Sequence, residues 1–311
     1  MAKTAIDELQ ERVRGKVVLN APMDRFTTLR VGGPADLLVY PEDREDLTEL
    51  ISFLAERGIP YFVLGNGSNL VVRDGGIRGA VICLTEGFRA IERREGPRFR
   101  AEAGVPLRRL VRWTVDQGIT GFEPLVGIPG SVGGALAMNA GAWGMEIGER
   151  LVELEALSPE GRVQVFDRTT LRFGYRSLDL PPGYVILAAV LEGEPADPEE
   201  VKAAAKAFFA RRKESQPLAE PSAGSVFKNP PGAKAAKLIE SCGLKGVRVG
   251  EAEVSRLHAN FIVNAGMATA SQVVSLIGMI QERVFVKHKV KLEPEVRIVG
   301  EWAKGKVRVT D

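Results

Sequence analysis

The chain has 311 residues, 45% of them hydrophobic and 26% charged, a composition typical of a globular protein with two or three domains. Its 42 basic and 40 acidic residues leave a formal net charge of +2, which gives no electrostatic case for binding nucleic acid or an anionic membrane. Two cysteines and two histidines, far apart in the chain, exclude a zinc cage or a disulfide framework. Cys83 is interpreted as a buried hydrophobe, and His258 and His288 as structural residues. We expect no metal, so difficult chemistry would need an organic cofactor. A charged N-terminal segment and the lack of any run of ~20 apolar residues predict a cytoplasmic protein.

The first predicted segment, residues 1–75, contains a strand–helix–strand unit. A strand is predicted at 36–40 and another at 61–64. Between them, a helix begins at Pro41 and ends at Gly58, because its apolar residues follow helical spacing: Leu47, Leu50, Ile51 and Leu54.

The second predicted segment, residues 76–195, mixes short strands with one helix. That helix starts near Pro106 and is capped by Gly118. Strands are predicted at 151–157, 163–166 and 185–191. The third segment, residues 196–311, begins with a helix to Lys213 that should bury Val201, Ala205, Phe208 and Phe209. Further helices fit 233–242 and 270–286, the latter with a capping box from Thr269 to Gln272. The strand candidates are 261–263 and 296–299. The sequence predicts an α+β protein.

Three glycine-rich loops follow in chain order, at 31–36, 64–70 and 127–142. Glycines let backbone N–H groups approach a ligand closely, and a pyrophosphate is the natural guest where such a loop leads into a helix. Each loop by itself could be only a tight turn, but three of them favour a nucleotide cofactor. None has the dinucleotide fingerprint Gly-x-Gly-x-x-Gly followed by an acidic residue, so a Rossmann fold is disfavoured. The predicted cofactor-binding residues are Gly32, Gly33, Gly65, Asn66, Gly67, Ser68, Asn69, Gly127, Gly130, Ser131, Gly133, Gly134, Asn139 and Gly141.

The second and third loops together resemble the FAD-binding fold of the vanillyl-alcohol-oxidase and cresol-methylhydroxylase type. Within that fold, the chain resembles the UDP-N-acetylenolpyruvoylglucosamine reductases of peptidoglycan synthesis from about Asn20 to Gly300. The resemblance implies two FAD-binding subdomains, a C-terminal α+β substrate domain and NADPH as the hydride donor. Covalent members of the wider superfamily attach flavin through His or Cys in the second loop. Residues 65–70 contain neither, so we expect non-covalent FAD.

Three segments outside the loops carry the more specific part of the resemblance: Phe173–Ser177, Ser222–Pro230 and Leu292–Arg297. The resemblance implies that Arg176, Ser225 and Glu295 are catalytic. By residue type alone, Arg176 would be a surface ion-pair residue, Ser225 a turn or capping serine, and Glu295 an exposed strand residue. In the resemblance, Ser225 is the proton donor, while Arg176 and Glu295 stabilise an enolate. Glu295 can do so only when protonated, so its pKa is expected to be raised.

The resemblance also implies that Lys213, Asn229, Arg297 and Tyr175 contact the sugar nucleotide. Strand alternation should place Arg297 on the same face as Glu295. Lys213 could equally belong to a solvated basic helix end, Arg211-Arg212-Lys213. One departure stands out. Only 48 residues separate Arg176 from Ser225, and they include no tyrosine matching the one that closes over the substrate in long-chain members. The chain therefore resembles the short-chain subclass.

Two other functions remain open from the sequence. A related FAD-dependent sugar or alcohol oxidase would explain the loops but not the segments around Ser225 and Glu295. A catalytically inactive flavin-binding or sugar-nucleotide-binding protein would not need Arg176, Ser225 and Glu295 together. No protein partner is evident in the sequence.

Overall fold

The structure is a computed structural model, and it describes residues 3–303. Seven helices are described: α1 Lys3–Arg12, α2 Arg44–Glu56, α3 Leu107–Asp116, α4 Val132–Ala137, α5 Pro198–Ser215, α6 Ala235–Ser241 and α7 Ala270–His288. The first strands are β1 Lys16–Pro22, β2 Pro34–Tyr40, β3 Tyr61–Leu64, β4 Leu70–Val72, β5 Ile77–Cys83, β6 Ile91–Arg93, β7 Arg98–Glu102, β8 Ile119–Thr120, β9 Gly141–Ala142 and β10 Met145–Glu146. The remaining strands are β11 Leu151–Leu157, β12 Val163–Asp167, β13 Arg172–Gly174, β14 Ser177–Asp179, β15 Val185–Glu192, β16 Glu194–Pro195, β17 Ser222–Ser225, β18 Arg248–Val249, β19 Ala252–Val254, β20 Phe261–Asn264 and β21 Arg297–Val299.

These elements form two compact units, each with its own hydrophobic core. Unit 1 comprises residues 3–19, 37–66 and 79–212, and unit 2 comprises residues 20–36, 67–78 and 213–303. This division differs from the three consecutive predicted segments, because residues 20–36 and 67–78 group with the C-terminal part of the chain. One reason is that β4 pairs in parallel with β21, so that Leu70 lies opposite Arg297.

Unit 1 is built on an antiparallel sheet with the strand order β12-β11-β15-β7-β6. Aromatic packing marks its core, where the ring of Phe99 lies 4.9 Å from Trp113 and 5.2 Å from Phe122. A further sheet has the order β1-β2-β5-β3, with β3 and β5 parallel. The strands joined by α2 are therefore not neighbours, because β5 lies between them.

Unit 2 is built on the antiparallel sheet β17-β20-β19-β18. The apolar face of α7 contributes Val273, Leu276, Ile277, Ile280 and Val284 to its core, as the helical spacing in the sequence indicates. Thr269 caps α7 and Gln272 completes the reciprocal hydrogen bond, which confirms the predicted capping box.

Most predicted elements are confirmed, including the strands at 61–64, 151–157 and 261–263 and the helices α2, α3, α5, α6 and α7. The burial of Cys83 is also confirmed, with 4% of its surface exposed. The predicted burial of Phe209 is wrong, since 44% of that side chain is exposed. Helix α4 was not predicted because two of its six residues are glycines, Gly133 and Gly134.

Candidate active site

Ser225 and Glu295 lie close together in unit 2, because both flank hydrogen bonds made by the backbone of Val226. Ser225 pairs with Phe261 at the end of β17. The next residue, Val226, donates to the carbonyl of Asn260 over 2.9 Å and accepts from the N–H of Glu295 over 2.7 Å. Both Ser225 and Glu295 are half-buried. The structure therefore brings together the serine and the glutamate predicted from separate segments.

The side chain of Asn260 fixes the segment that carries Ser225, a role that the sequence did not reveal. Its Oδ1 accepts from the N–H of Phe227 over 3.0 Å, and its Nδ2 donates to the carbonyl of Phe227 over 2.8 Å. Asn260 is 4% exposed, so these hydrogen bonds are made out of reach of bulk water. The amide thus continues the pairing of β17 beyond the last strand residue, where an apolar side chain could not.

Asn69, from the second glycine-rich loop, holds the segment of Glu295 from its other side. Its Nδ2 donates to the carbonyl of Glu295 over 3.1 Å, and its carbonyl accepts from the N–H of Arg297 over 3.1 Å. Ser68 is near as well, because a Cβ added to Gly224 would lie 3.9 Å from the Ser68 carbonyl oxygen. One end of the predicted cofactor loop is therefore part of the surroundings of Ser225 and Glu295.

The predicted substrate contacts are all exposed side chains. Arg297 begins β21, whereas Glu295 precedes that strand. Strand alternation therefore does not relate these two side chains, and their sharing a face stays a prediction. Asn229 uses its Oδ1 to accept from the N–H of Ala235 over 3.0 Å, at the start of α6. Lys213 lies in the last turn of α5, and Tyr175 is 45% exposed.

Arg176, in unit 1, occupies the two-residue turn between β13 and β14. Its φ of +58° is uncommon for a residue with a Cβ and costs about 1 kcal/mol. The guanidinium lies 3.6 Å from Glu146 Oε1 and donates to the carbonyls of Asn139 and Gly141 over 3.5 and 3.4 Å. It also lies over the ring of Tyr175, 4.8 Å from its centroid. One carboxylate, two carbonyls and an aromatic ring therefore surround the guanidinium, while 19% of the side chain stays exposed.

Asn139 supports the loops around Arg176 with its side chain. Its Nδ2 donates to Glu146 Oε2 over 2.5 Å and to the carbonyl of Gly174 over 3.0 Å, and its Oδ1 accepts from the N–H of Gly148 over 3.1 Å. Because the residue is 2% exposed, this amide is committed to the protein. A contact between Asn139 and a cofactor would therefore have to involve its backbone.

The second and third glycine-rich loops contact each other in unit 1. Asn66 Nδ2 donates to the carbonyl of Pro129 over 2.8 Å. A Cβ added to Gly65 would lie 2.8 Å from Ser131 Oγ, so only glycine permits this approach. Ser131 caps α4. The first N–H groups of α4 are used internally, however, since Val132 and Gly133 donate to the carbonyls of Val105 and Ala103 over 2.9 and 2.8 Å.

The backbone of the second loop can receive an anion. Within residues 3–303, the N–H groups of Asn66, Gly67 and Ser68 donate no hydrogen bond to the protein. Gly67 has a φ of +62°, and a Cβ there would lie 2.0 Å from the carbonyl oxygen of Phe26. Consecutive N–H groups in such a turn suit a pyrophosphate, so the loop fits a dinucleotide such as FAD.

Most of the other predicted cofactor glycines lie where an added Cβ would crowd neighbouring atoms. In unit 2, an added Cβ would lie 2.8 Å from Val72 Cβ at Gly32 and 2.1 Å from the Asp74 carbonyl oxygen at Gly33. In unit 1, a Cβ would lie 2.1 Å from the Met145 carbonyl oxygen at Gly141, and 2.8 Å from Arg212 Cδ at Gly127, whose φ is +75°. A Cβ on Gly130 would make ordinary contact with Leu107, whereas one on Gly133 would crowd Ala103. These packing contacts neither support nor contradict a cofactor-binding role for these glycines.

Arg212 fixes the start of the third loop, although the sequence suggested a solvated basic helix end. Its Nε donates to the carbonyl of Val126 over 2.9 Å and its Nη2 to the carbonyl of Pro124 over 3.3 Å. Burial lowers its pKa to about 10, so the guanidinium stays charged at neutral pH. The charge lies 4.7 Å from the centroid of the Trp143 ring.

Two family models match this chain. Residues 35–167 match an FAD binding domain, and residues 216–299 match the C-terminal domain of UDP-N-acetylenolpyruvoylglucosamine reductase. The curated UDP-N-acetylenolpyruvoylglucosamine reductase of Geobacter metallireducens is 47% identical over 293 residues, which cover 94% of this chain and 97% of the relative. The chain belongs to the UDP-N-acetylenolpyruvoylglucosamine reductase family. It is therefore an FAD-dependent oxidoreductase of peptidoglycan synthesis, with the α+β FAD-binding fold and C-terminal domain that the sequence predicted.

Other members of the family agree over nearly the whole chain. The reductase of Caldanaerobacter subterraneus subsp. tengcongensis is 43% identical over 303 residues, covering 97% of this chain and 100% of the relative. The crystal structure of the Thermus caldophilus reductase matches with a TM-score of 0.79 at 38% identity, covering 93% of this chain and 99% of that one.

Among residues 3–303, no helix combines the length and apolar character needed to cross a membrane. The same part of the chain contains no group of three or more His, Cys, Asp or Glu side chains placed to hold a metal ion.

Proposed function

We propose that this protein reduces the enolpyruvyl group of UDP-N-acetylglucosamine enolpyruvate to give UDP-N-acetylmuramate, with NADPH as the source of the hydride. The observation that carries the proposal is the link between Ser225 and Glu295, whose segments meet at the backbone of Val226 through a 2.7 Å hydrogen bond. The FAD loops alone would suit many flavoenzymes. A serine beside a glutamate suits the quenching of an enolate, which needs a proton donor and a second polar group.

The chain would bind FAD non-covalently through its glycine-rich loops. Asn66, Gly67 and Ser68 supply backbone N–H groups, while Gly65 and Ser131 allow the loops to approach each other. Residues 65–70 offer no His or Cys for covalent attachment. Bound there, FAD would supply the hydride chemistry, with NADPH as its reductant and the terminal vinyl carbon of the substrate as the hydride acceptor.

Ser225 would donate the proton that completes the reaction. Hydride addition to the vinyl carbon leaves negative charge on the carbon next to the carboxylate, as an enolate. Ser225 Oγ gives its proton to that carbon and recovers one from water, so the double bond becomes a single bond and the ether is retained. Proton donation by a positioned side chain contributes about 10²–10⁴-fold to a rate, provided that the geometry is fixed. The hydrogen bonds of Asn260 to Phe227 supply that fixation here.

Arg176 and Glu295 would stabilise the enolate while it lasts. A guanidinium aimed at developing negative charge contributes ~3–4 kcal/mol when it is well placed. Glu295 must be protonated to take part, since a second anion would repel the enolate. Its half-buried position is compatible with that requirement.

The diphosphate and sugar of the substrate would be bound by Lys213, Asn229, Arg297 and Tyr175. All four side chains are exposed, and cationic and amide donors suit phosphate oxygens. NADPH and the sugar nucleotide would use the same pocket in turn, which predicts ping-pong kinetics. A ternary complex with both ligands productively bound would contradict that order.

The test is anaerobic. The bound flavin is reduced first, UDP-N-acetylglucosamine enolpyruvate is then added, and the flavin absorbance and the product are followed. We expect reoxidation with formation of one UDP-N-acetylmuramate per flavin. Absence of reoxidation would refute the substrate assignment. Steady hydrogen peroxide production with a sugar or alcohol in air would instead support the oxidase alternative.

A further inference from the structure

We propose that Glu146 is a positioning residue for the reaction and that it acts through Arg176. This inference rests on the proposed function, because it concerns the residue expected to stabilise the enolate. Glu146 Oε1 lies 3.6 Å from Nη1 of Arg176. The two side chains are 32% and 19% exposed, so their charges interact more strongly than those of a fully solvated pair.

The orientation of the Glu146 carboxylate is fixed by a buried amide. Its second oxygen, Oε2, accepts from Asn139 Nδ2 over 2.5 Å. Asn139 cannot turn away, because its amide also holds the carbonyl of Gly174 and the N–H of Gly148. Asn139 therefore holds Oε2 of Glu146, while Oε1 is directed to Arg176.

Asn139 also holds the turn that carries Arg176. Gly174, held by Asn139, is paired with Ser177, and these residues enclose the turn of Tyr175 and Arg176. The carbonyl of Asn139 accepts from Nη1, the nitrogen that faces Glu146, and the carbonyl of Gly141 accepts from Nη2. The backbone and the side chain of Arg176 are thus both held by contacts that involve Asn139. Glu146 is the charged residue among those contacts.

A carboxylate beside the arginine would weaken rather than strengthen its attraction for an enolate if charge alone mattered. The geometry points to orientation instead, since Glu146 holds the guanidinium against the carbonyls of residues 139 and 141. Loss of that orientation affects the step that uses Arg176 and leaves the reduction of FAD by NADPH unchanged. Misplacement of a group by about 1 Å can reduce a rate by about 10²-fold.

The test separates the two half-reactions in four FAD-loaded proteins: wild type, Glu146→Gln, Arg176→Lys and the double variant. For Glu146→Gln we expect reoxidation by the sugar nucleotide to slow by about 10²-fold and reduction by NADPH to stay within about two-fold of wild type. The double variant should react no more slowly than Arg176→Lys, because Glu146 acts only through that residue. Glu149→Gln removes an exposed carboxylate from the same segment and should behave as wild type.

Several results would overturn the inference. They are unchanged reoxidation in Glu146→Gln, additive losses in the double variant, or equal slowing of both half-reactions, which indicates a general structural role. A wild type whose reduced flavin is not reoxidised would contradict the proposed function. In that case a crystal structure of Glu146→Gln decides the inference: a displaced Arg176 side chain supports it, and an unchanged one overturns it.

Discussion

Exchanging Asn260 for aspartate should destabilise unit 2 without leaving a cavity, because the two side chains have nearly the same shape. In the wild type, Asn260 Nδ2 donates to the carbonyl of Phe227 over 2.8 Å. In Asn260→Asp, an oxygen faces that carbonyl oxygen in a position that is 4% exposed. The lost hydrogen bond and the unsatisfied buried carbonyl together cost about 2–4 kcal/mol of the free energy of unfolding.

The assay is calorimetric or denaturant-induced unfolding at neutral pH, with Asn20→Asp as the matched control. Asn20 is exposed in the same unit and has a φ of +47°, a conformation that aspartate also tolerates. We expect the control to stay within about 0.5 kcal/mol of wild type. A stability of Asn260→Asp that equals the control would refute the role given to this amide in holding Ser225.

The remaining stability predictions concern a loop glycine and an ion pair. Gly67→Ala should lose at least about 2 kcal/mol more than Gly96→Ala, because both glycines have φ near +60° but only a Cβ at residue 67 meets a carbonyl, 2.0 Å away. Equal losses in unfolding experiments would contradict the close approach. Glu155→Gln should cost about 1–2 kcal/mol at pH 7, since Arg100 donates to both carboxylate oxygens over 2.7 Å, and it should exceed the cost of Glu192→Gln at the more exposed Arg98 pair. Arg100 lowers the pKa of Glu155, so this stabilisation is fully present above an ordinary glutamate pKa of about 4.3 and is lost as pH falls through the lowered value. A cost of Glu155→Gln that does not shrink in acid would contradict that account.

Local patterns in the sequence were enough to predict most helices and strands. Helical spacing and the capping box located α7, and strand-like apolar runs located β11 and β15. The segments around Ser225 and Glu295 were predicted as functional only through a resemblance. The structure then showed why they belong together, since the N–H of Glu295 bonds to the residue after Ser225.

The supporting residues could not be predicted because their partners are distant in the chain. Asn260 is an ordinary polar residue until the pairing of β17 with β20 places it beside Phe227. Asn139 gives no sign in the sequence of holding residues 146, 148 and 174 at once. Arg212 lies in a basic run typical of a solvated helix end, yet it is 6% exposed. These side chains bond backbone groups of other loops, and local periodicity carries no information about such contacts.

The proton donor is the central claim of this account, and single-turnover kinetics test it most directly. Enzyme with pre-reduced flavin is mixed anaerobically with UDP-N-acetylglucosamine enolpyruvate, and reoxidation and product are compared for wild type, Ser225→Ala and Ser222→Ala. Ser222 lies in the same strand and serves as the control. We expect Ser225→Ala to form UDP-N-acetylmuramate at least about 10²-fold more slowly, while its reduction by NADPH and its FAD content match those of the control. Product formation by Ser225→Ala at the rate of Ser222→Ala would contradict the account.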